Sequence, residues 1–191
     1  SLSLLADQTW VCSTRDRYLL QVLGGISHQV IVNPIPDESL LAAEISEQRY
    51  CNPAPFFVGH LSYFPNVAAV LELATEFSTS MLPHNINAVP IVAGRSPGRQ
   101  ILRQASRGRI QLMVNPPSCV SFLTQSGFTL LPIRHGSGTR IKALEALAAG
   151  MVVIATDKAV EGLALENGIH YLRADTVKEM CELMQGLISE P

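Results

Sequence analysis

The chain has 191 residues, 47% hydrophobic and 16% charged, with 14 Lys plus Arg against 16 Asp plus Glu and a formal net charge of −2. That composition excludes a disordered or solvating tail. The near-neutral balance leaves no electrostatic footprint for nucleic acid or an anionic lipid surface, and the length fits one domain or one domain plus part of another.

Residues 9–12, Thr-Trp-Val-Cys, read as a short apolar strand. Ser13 or Thr14 caps a helix running to about Leu23, where Gly24 and Gly25 stop it. Residues 29–32 form a second strand, and Asn33-Pro34-Ile35-Pro36 makes a rigid connector. A domain boundary is expected within the more polar stretch 33–54, which closes on Pro53 and Pro55. The first 35 residues then read as the end of one domain and its link, and 55–191 as a second domain.

From there the alternation is regular. Strands are expected at 56–58, 88–93, 110–114, 128–133, 151–156 and 169–172. Helices are expected from an Asn66 cap through Val67, Val70, Leu71 and Ala74, then at 98–105, 117–126, 139–149, about 160–165 and 176–188. Short strands that are apolar on both faces belong to a parallel sheet covered by helices on both sides. The expected fold is a doubly wound, Rossmann-like α/β domain. Ligands bind such sheets beyond the carboxyl ends of the strands, which singles out the loops starting at Gly59, Gly94, Asn115, Arg134 and Asp157.

Cys12, Cys51, Cys119 and Cys181 are scattered, with no C-x-x-C, so reduced thiols in a cytoplasmic protein are expected. His28, His84 and His170 show no metal spacing, and no metal is expected. Ser118, Ser121 and Ser126 lack a G-x-S-x-G context for a hydrolase nucleophile. The longest apolar stretch, 143–156, holds Glu145 and Gly150 and is too short to span a membrane. At most a peripheral place on a membrane face is expected. The chain opens in mid-pattern at Ser1, as a piece of a longer protein would.

The informative stretch runs from Arg134 through Gly136-Ser137-Gly138-Thr139-Arg140-Ile141-Lys142 to Glu145 and Gly150. It follows a strand and opens a helix. Gly136 and Gly138 admit close approach of a ligand, and the free N–H groups of the helix start favour an anion. Arg134, Arg140 and Lys142 add positive charge, and Ile141, Leu144 and Ala148 form the face expected to pack on the sheet. Glu145 is placed to accept ribose hydroxyls, or it pairs with Lys142 on an exposed face. His135 and His60 stand in candidate loops, each a phosphate or sugar contact or a solvated side chain. Asp157 and Glu161 reach sugar hydroxyls or cap the short helix that follows. A Rossmann dinucleotide site using Gly136, Gly138 and Asp157 competes, but Ile141 stands where its third glycine belongs.

The run Gly136–Lys142, then Leu144-Glu145-Ala146-Leu147-Ala148-Ala149-Gly150, Val152–Thr156 and Glu161-Gly162-Leu163, resembles the donor-binding domain of group 1 (family 4) glycosyltransferases of the GT-B fold. Phe57-Val58-Gly59 with Pro65-Asn66, and Gly168–Leu172 with Ala174-Asp175, agree with it, as do Ala6-Asp7 and Val30–Pro34 for the end of the preceding domain. The resemblance implies transfer of a sugar from a UDP- or GDP-sugar to an acceptor with retention, and without a metal or a tightly bound cofactor. It implies that Glu145 binds the donor ribose, and that Gly59 and the Gly136–Thr139 loop approach the diphosphate and sugar. It further implies an acceptor-side domain that this chain lacks and no turnover by the chain alone. Two departures stand out. Many members carry a sugar-facing glutamate where this chain has Ser137. Many also carry an Arg and a Lys after the first strand, where this chain has only His60. These departures keep a non-catalytic interaction module as an alternative, beside a nicotinamide-dependent oxidoreductase.

Overall fold

The computed structural model describes residues 9–11, 17–18, 21–22, 28–30, 49–50, 52, 54–81, 88–119, 126–136 and 140–189. Near the start, strands β1 (Thr9–Val11) and β2 (His28–Val30) pair in parallel. The regular alternation follows with β3 (Phe56–His60), α1 (Phe64–Met81), β4 (Ile91–Arg95), α2 (Arg99–Ser106) and β5 (Gln111–Val114). Next come β6 (Phe128–Leu131), α3 (Ile141–Ala148), β7 (Val152–Ala155), α4 (Asp157–Val160), β8 (Leu172–Arg173) and α5 (Val177–Ser189).

Two parallel sheets result, β3-β4-β5 and β6-β7-β8. They meet where β3 lies beside β6. There Thr129 Oγ1 donates to Phe56 O at 2.7 Å, and Ser126 Oγ donates to Ala54 O at 2.9 Å. Counted from β3, the spatial order is 3-2-1-4-5-6, with the reversal of winding between β3 and β6. Phe56, Phe57, Leu130, Leu131 and Ile154 are fully buried along the strands, with Leu73, Phe77, Met81 and Met180 on the helices. α1 packs on α5 and on α2, and α3 packs on β7. The doubly wound, Rossmann-like α/β expectation is what the chain builds.

Several local expectations shift. α1 starts two residues before Asn66, whose buried side chain instead donates to His60 O at 2.9 Å. α3 is turned so that Ala143 and Ala146 face inward, while Ile141, Leu144 and Ala148 are half-buried. Alanines let the helix approach the sheet closely, and that rotation brings Lys142 and Glu145 in from solvent. The helix expected at 160–165 comes earlier, at α4, because Thr156 Oγ1 accepts from Ala159 N at 3.3 Å. Gly162, at φ +84°, ends it. The strand expected at 169–172 shrinks to β8, since Gly168 N donates to Tyr171 O at 2.8 Å in a turn that leaves Ile169 exposed. Of the helix expected at 117–126, residues 117–119 are not helical and 120–125 lie outside the described residues, as do Ser13, Thr14 and the connector 33–36. Among the described residues no helix is long and apolar enough to cross a membrane.

Candidate functional site

The crevice opens at the carboxyl ends of β3 and β6. Gly59 is its pivot. A Cβ there would sit 2.7 Å from Asn66 Nδ2 and 2.9 Å from Lys142 Cε, so only glycine lets both side chains in. The next strand repeats the theme, for a Cβ on Gly94 would fall 1.9 Å from Gly59 O. Lys142 enters from α3 on the other side of the crevice, its ammonium 5.9 Å from the centre of the Phe57 ring. The loop after β3 lacks Lys and Arg, and α3 sends a cation across to it.

Lys142 is strained electrostatically. Burial lowers its pKa, Glu145 partly restores it, and Arg140 lowers it further. Burial raises the pKa of Glu145, and Lys142 opposes the rise. The pair is half-buried on the crevice edge rather than an exposed helix pair. Burial and Glu145 together raise the Cys119 thiol, which puts Cys119 and Glu145 in one electrostatic neighbourhood. The Cys181 thiol, on the buried face of α5, is pushed up to about 12 by burial and belongs to the core.

Two cavities flank this pivot. One, of about 390 Å³, lies over the ends of β3, β4 and β5 and is lined by Gly59, His60, Gly94, Arg95, Asn115 and Cys119. Asn115 lies in the left-handed region at φ 49° and donates its N–H to Gly94 O at 2.9 Å. His60 Nδ1 and Ser62 Oγ are 2.9 Å apart. The other cavity, of about 160 Å³, is lined by Tyr63, Asn66, His135, Gly136, Arg140 and Lys142 among others. Gly136, at φ +112°, takes a conformation closed to other residues, and a Cβ there would lie 3.2 Å from Tyr63 Oη. The His135 ring faces Phe64 at 5.7 Å between centroids.

Arg140 is 9% exposed. Its Nη2 donates to Gly136 O at 3.1 Å and to Glu161 Oε2 at 2.9 Å. Lys158 Nζ donates to the same oxygen at 2.6 Å. Glu161 therefore fastens Arg140 rather than capping α4. Thus Gly59, His60, Gly136, Arg140, Lys142 and Glu145 gather around the crevice. Arg134 does not join them: it pairs with Glu72 Oε1 on α1 at 2.7 Å and donates to Asp175 O at 2.7 Å. Ser137, Gly138 and Thr139 lie outside the described residues. Asp157, the acid of the dinucleotide reading, is 2.9 Å from Arg173 Nε and 62% exposed. The sequence reading did not assign Tyr63, Asn66 or Cys119 to the site, although it named Asn66 as the cap of the helix that follows the singled-out Gly59 loop. Among the described residues no cluster of three or more His, Cys, Asp or Glu can hold a metal.

The family model described as glycosyl transferases group 1 matches residues 52–190. The chain belongs to this family. No curated protein matches it in sequence. Its fold is similar to a TarM structure at TM-score 0.75 and 10% identity, covering 97% of this chain and 37% of that one. It is similar to Anabaena Alr3699/HepE in complex with UDP-glucose at TM-score 0.67 and 14% identity, covering 97% and 55%. It is also similar to a UDP-forming trehalose-phosphate synthase from Burkholderia xenovorans at TM-score 0.63 and 14% identity, covering 97% and 54%. The fold is that of the C-terminal half of GT-B glycosyltransferases, and the chain spans about a third to a half of the length of these proteins.

Proposed function

We propose that residues 55–191 are the donor-binding domain of a retaining glycosyltransferase, with residues 1–35 belonging to the end of an acceptor-side domain and its link. The donor is a nucleotide sugar, and UDP is the favoured nucleotide because structural relatives were solved with UDP or UDP-glucose. The observation that carries this reading is the convergence of Lys142 on Gly59 at the switch point. The pair makes a diphosphate cradle: backbone and space come from β3, and charge comes from α3 together with its N-terminal dipole. Glu145, one turn further along α3, faces the ribose, and the cavity over Gly94, Asn115 and Cys119 takes the base.

Catalysis then rests on the departing diphosphate. Negative charge grows on it as the glycosidic bond breaks. Lys142 is already half-buried and positioned, so it stabilises that charge with little solvent reorganisation. The acceptor comes from the second domain, so this chain alone binds donor without turnover. Calorimetric titration with UDP, GDP and ADP and their sugars tests the reading. Binding of one nucleoside diphosphate, weakened by Lys142→Met, is expected; no binding of any of them at millimolar concentration overturns it.

A further inference from the structure

The near-neutral net charge hides a strong segregation. From Phe77 to Leu144 the chain carries no Asp or Glu, yet it holds seven arginines and Lys142. Arg134, Arg140 and Lys142 belong to the crevice and its surroundings. The other five, Arg95, Arg99, Arg103, Arg107 and Arg109, lie on and around α2, at the β5 edge of the sheet β3-β4-β5. All five are exposed. Arg95 ends β4 at the rim of the larger cavity, and Arg109 stands just ahead of β5. The stripe therefore runs from the carboxyl rim of the sheet to its amino rim.

The stripe has no counterweight among the described residues. None of the five arginines makes an ion pair there, and Arg109 Nη1 meets Gln104 Oε1 at 3.5 Å. The acids of α1, which packs on α2, act elsewhere. Glu72 pairs with Arg134, and Glu76 is felt by Arg134 and by Cys181 on α5. Arg99, Arg103 and Arg107 are four residues apart and line one face of α2, where like charges repel. Arg103 suits the last turn of the helix, but Arg99 stands in its first turn, where the dipole opposes a cation. An ordinary surface intersperses both signs. An extended anionic partner relieves the repulsion that this one stores.

We propose that this face docks the chain on a membrane surface rich in anionic phospholipid. All five cations are arginine, whose planar fork takes phosphate oxygens in pairs. Two further features favour a bilayer over a nucleic acid. Leu102, 47% exposed, lies between Arg99 and Arg103, and Val114 on the edge strand is 48% exposed. Apolar side chains among cations enter the acyl boundary of a bilayer, which a phosphodiester backbone does not offer. Residues 88–119 hold no Phe, Tyr or Trp, so α2 and its neighbouring strands present no ring for a base to stack on. A docked chain holds the rim of the larger cavity at the headgroup layer, because Arg95 belongs to both. Docking and nucleotide binding otherwise use different side chains, so either can fail without the other.

The test is flotation of the chain with vesicles at pH 7 and about 0.1 M NaCl. One set is phosphatidylcholine alone, and the other adds phosphatidylglycerol to about a third of the lipid. Binding to the anionic set only is expected, with loss at about 1 M NaCl, where screening is short-ranged. The triple variant Arg99→Gln, Arg103→Gln, Arg107→Gln is expected to bind at least ~30-fold more weakly, since each arginine near a charged surface contributes about fivefold. Its melting temperature is expected to stay the same, because the three side chains are exposed. Removing three cations elsewhere, with Arg17→Gln, Arg173→Gln and Lys178→Gln, is expected to leave vesicle binding as in the parent. Leu102→Gln is expected to weaken vesicle binding about fivefold and to leave heparin binding unchanged. No binding to anionic vesicles, or equal binding to both sets, overturns the assignment. So does an equal loss in the two triple variants, or a single-stranded oligonucleotide bound as tightly as the anionic vesicles. If thermal melting shows that the α2 triple variant does not fold, Leu102→Gln decides: unchanged vesicle binding overturns the assignment.

Discussion

Two buried arginines mark opposite ends of α3, and they are used in opposite ways. Arg49, 4% exposed, lies at the helix C-terminus. Its Nη1 donates to Ala149 O at 2.8 Å and its Nη2 to Gly150 O, while Tyr50 Oη also donates to Gly150 O at 2.7 Å. The guanidinium sits 4.7 Å from the centre of the Tyr50 ring. A cation on the last carbonyls of a helix satisfies orphan acceptors and suits the dipole. Arg140 sits at the other end, where the dipole opposes it, and turns towards a cavity. The fold gains from the first arginine. The second costs the fold something and suits a bound anion. Buried charge therefore separates the structural rim of the sheet from the rim proposed to bind the donor.

The comparison breaks most visibly at Arg49. Arg49→Met strips the buried Ala149 carbonyl of its donor and leaves Gly150 O with Tyr50 Oη, and should lower stability by about 1–3 kcal/mol. Urea unfolding should show a lower midpoint at unchanged slope. Nucleoside diphosphate affinity should stay within about twofold, because no atom of Arg49 lines the crevice. A large loss of affinity in a folded Arg49→Met chain would remove the division between the rims.

Lys142 gives the mirror image. Burial lowers its pKa, so the folded chain penalises its charged form. That penalty is fully present below the folded pKa and disappears as pH rises past the unfolded value of 10.5. At pH 7 Lys142→Met should therefore melt at a higher temperature than the parent. It should also bind nucleoside diphosphate roughly 10–100-fold more weakly, the usual range for a lost charge-assisted bond. A lower melting temperature with unchanged affinity would make Lys142 a structural residue.

Glu145 sharpens the same contrast through pH. Burial raises its pKa above 4.5, so the fold penalises the carboxylate. The penalty is absent below pH 4.5 and grows as pH rises through the folded pKa. Glu145→Gln and the parent should melt together at pH 4, and the variant should melt higher at pH 8. Its nucleotide affinity at pH 8 should fall by about 1–2 kcal/mol, from the loss of a strong acceptor. A constant melting difference at both pH values would place the stabilisation elsewhere.

The sheet was legible because its strands are short, apolar on both faces and separated by helices, as Phe56-Phe57-Val58 and Val152–Ala155 illustrate. The Gly59 and Gly136 turns were legible because glycine at a strand end has few other uses. The rotation of α3 was not. Ile141, Leu144 and Ala148 carry more apolar area than Ala143 and Ala146, and side-chain size outvoted close approach to the sheet. The destination of Arg134 was hidden for a related reason. Its partners, Glu72 on α1 and Asp175, are distant in sequence and meet it only once α1 and α5 have packed. Periodicity reports which face a residue occupies on its own element, and these errors concern what the neighbouring element brings.

The smallest expected effect concerns Asp157, at the far edge of the site. It begins α4 and pairs with Arg173 Nε at 2.9 Å, with side chains 62% and 47% exposed. Tyr171 Oη adds a weak bond at 3.3 Å. Exposed pairs of this kind contribute ~0–1 kcal/mol. Asp157→Asn keeps a side-chain oxygen and the Thr156 cap, so its stability should change by less than ~0.5 kcal/mol. Its nucleoside diphosphate affinity should not change. A dinucleotide-binding domain predicts otherwise, because an acid in this place holds the adenosine ribose. Thermal protection of the parent by NAD, lost in Asp157→Asn, would restore that reading. Equal and negligible protection in both would leave Asp157 as one half of a surface ion pair.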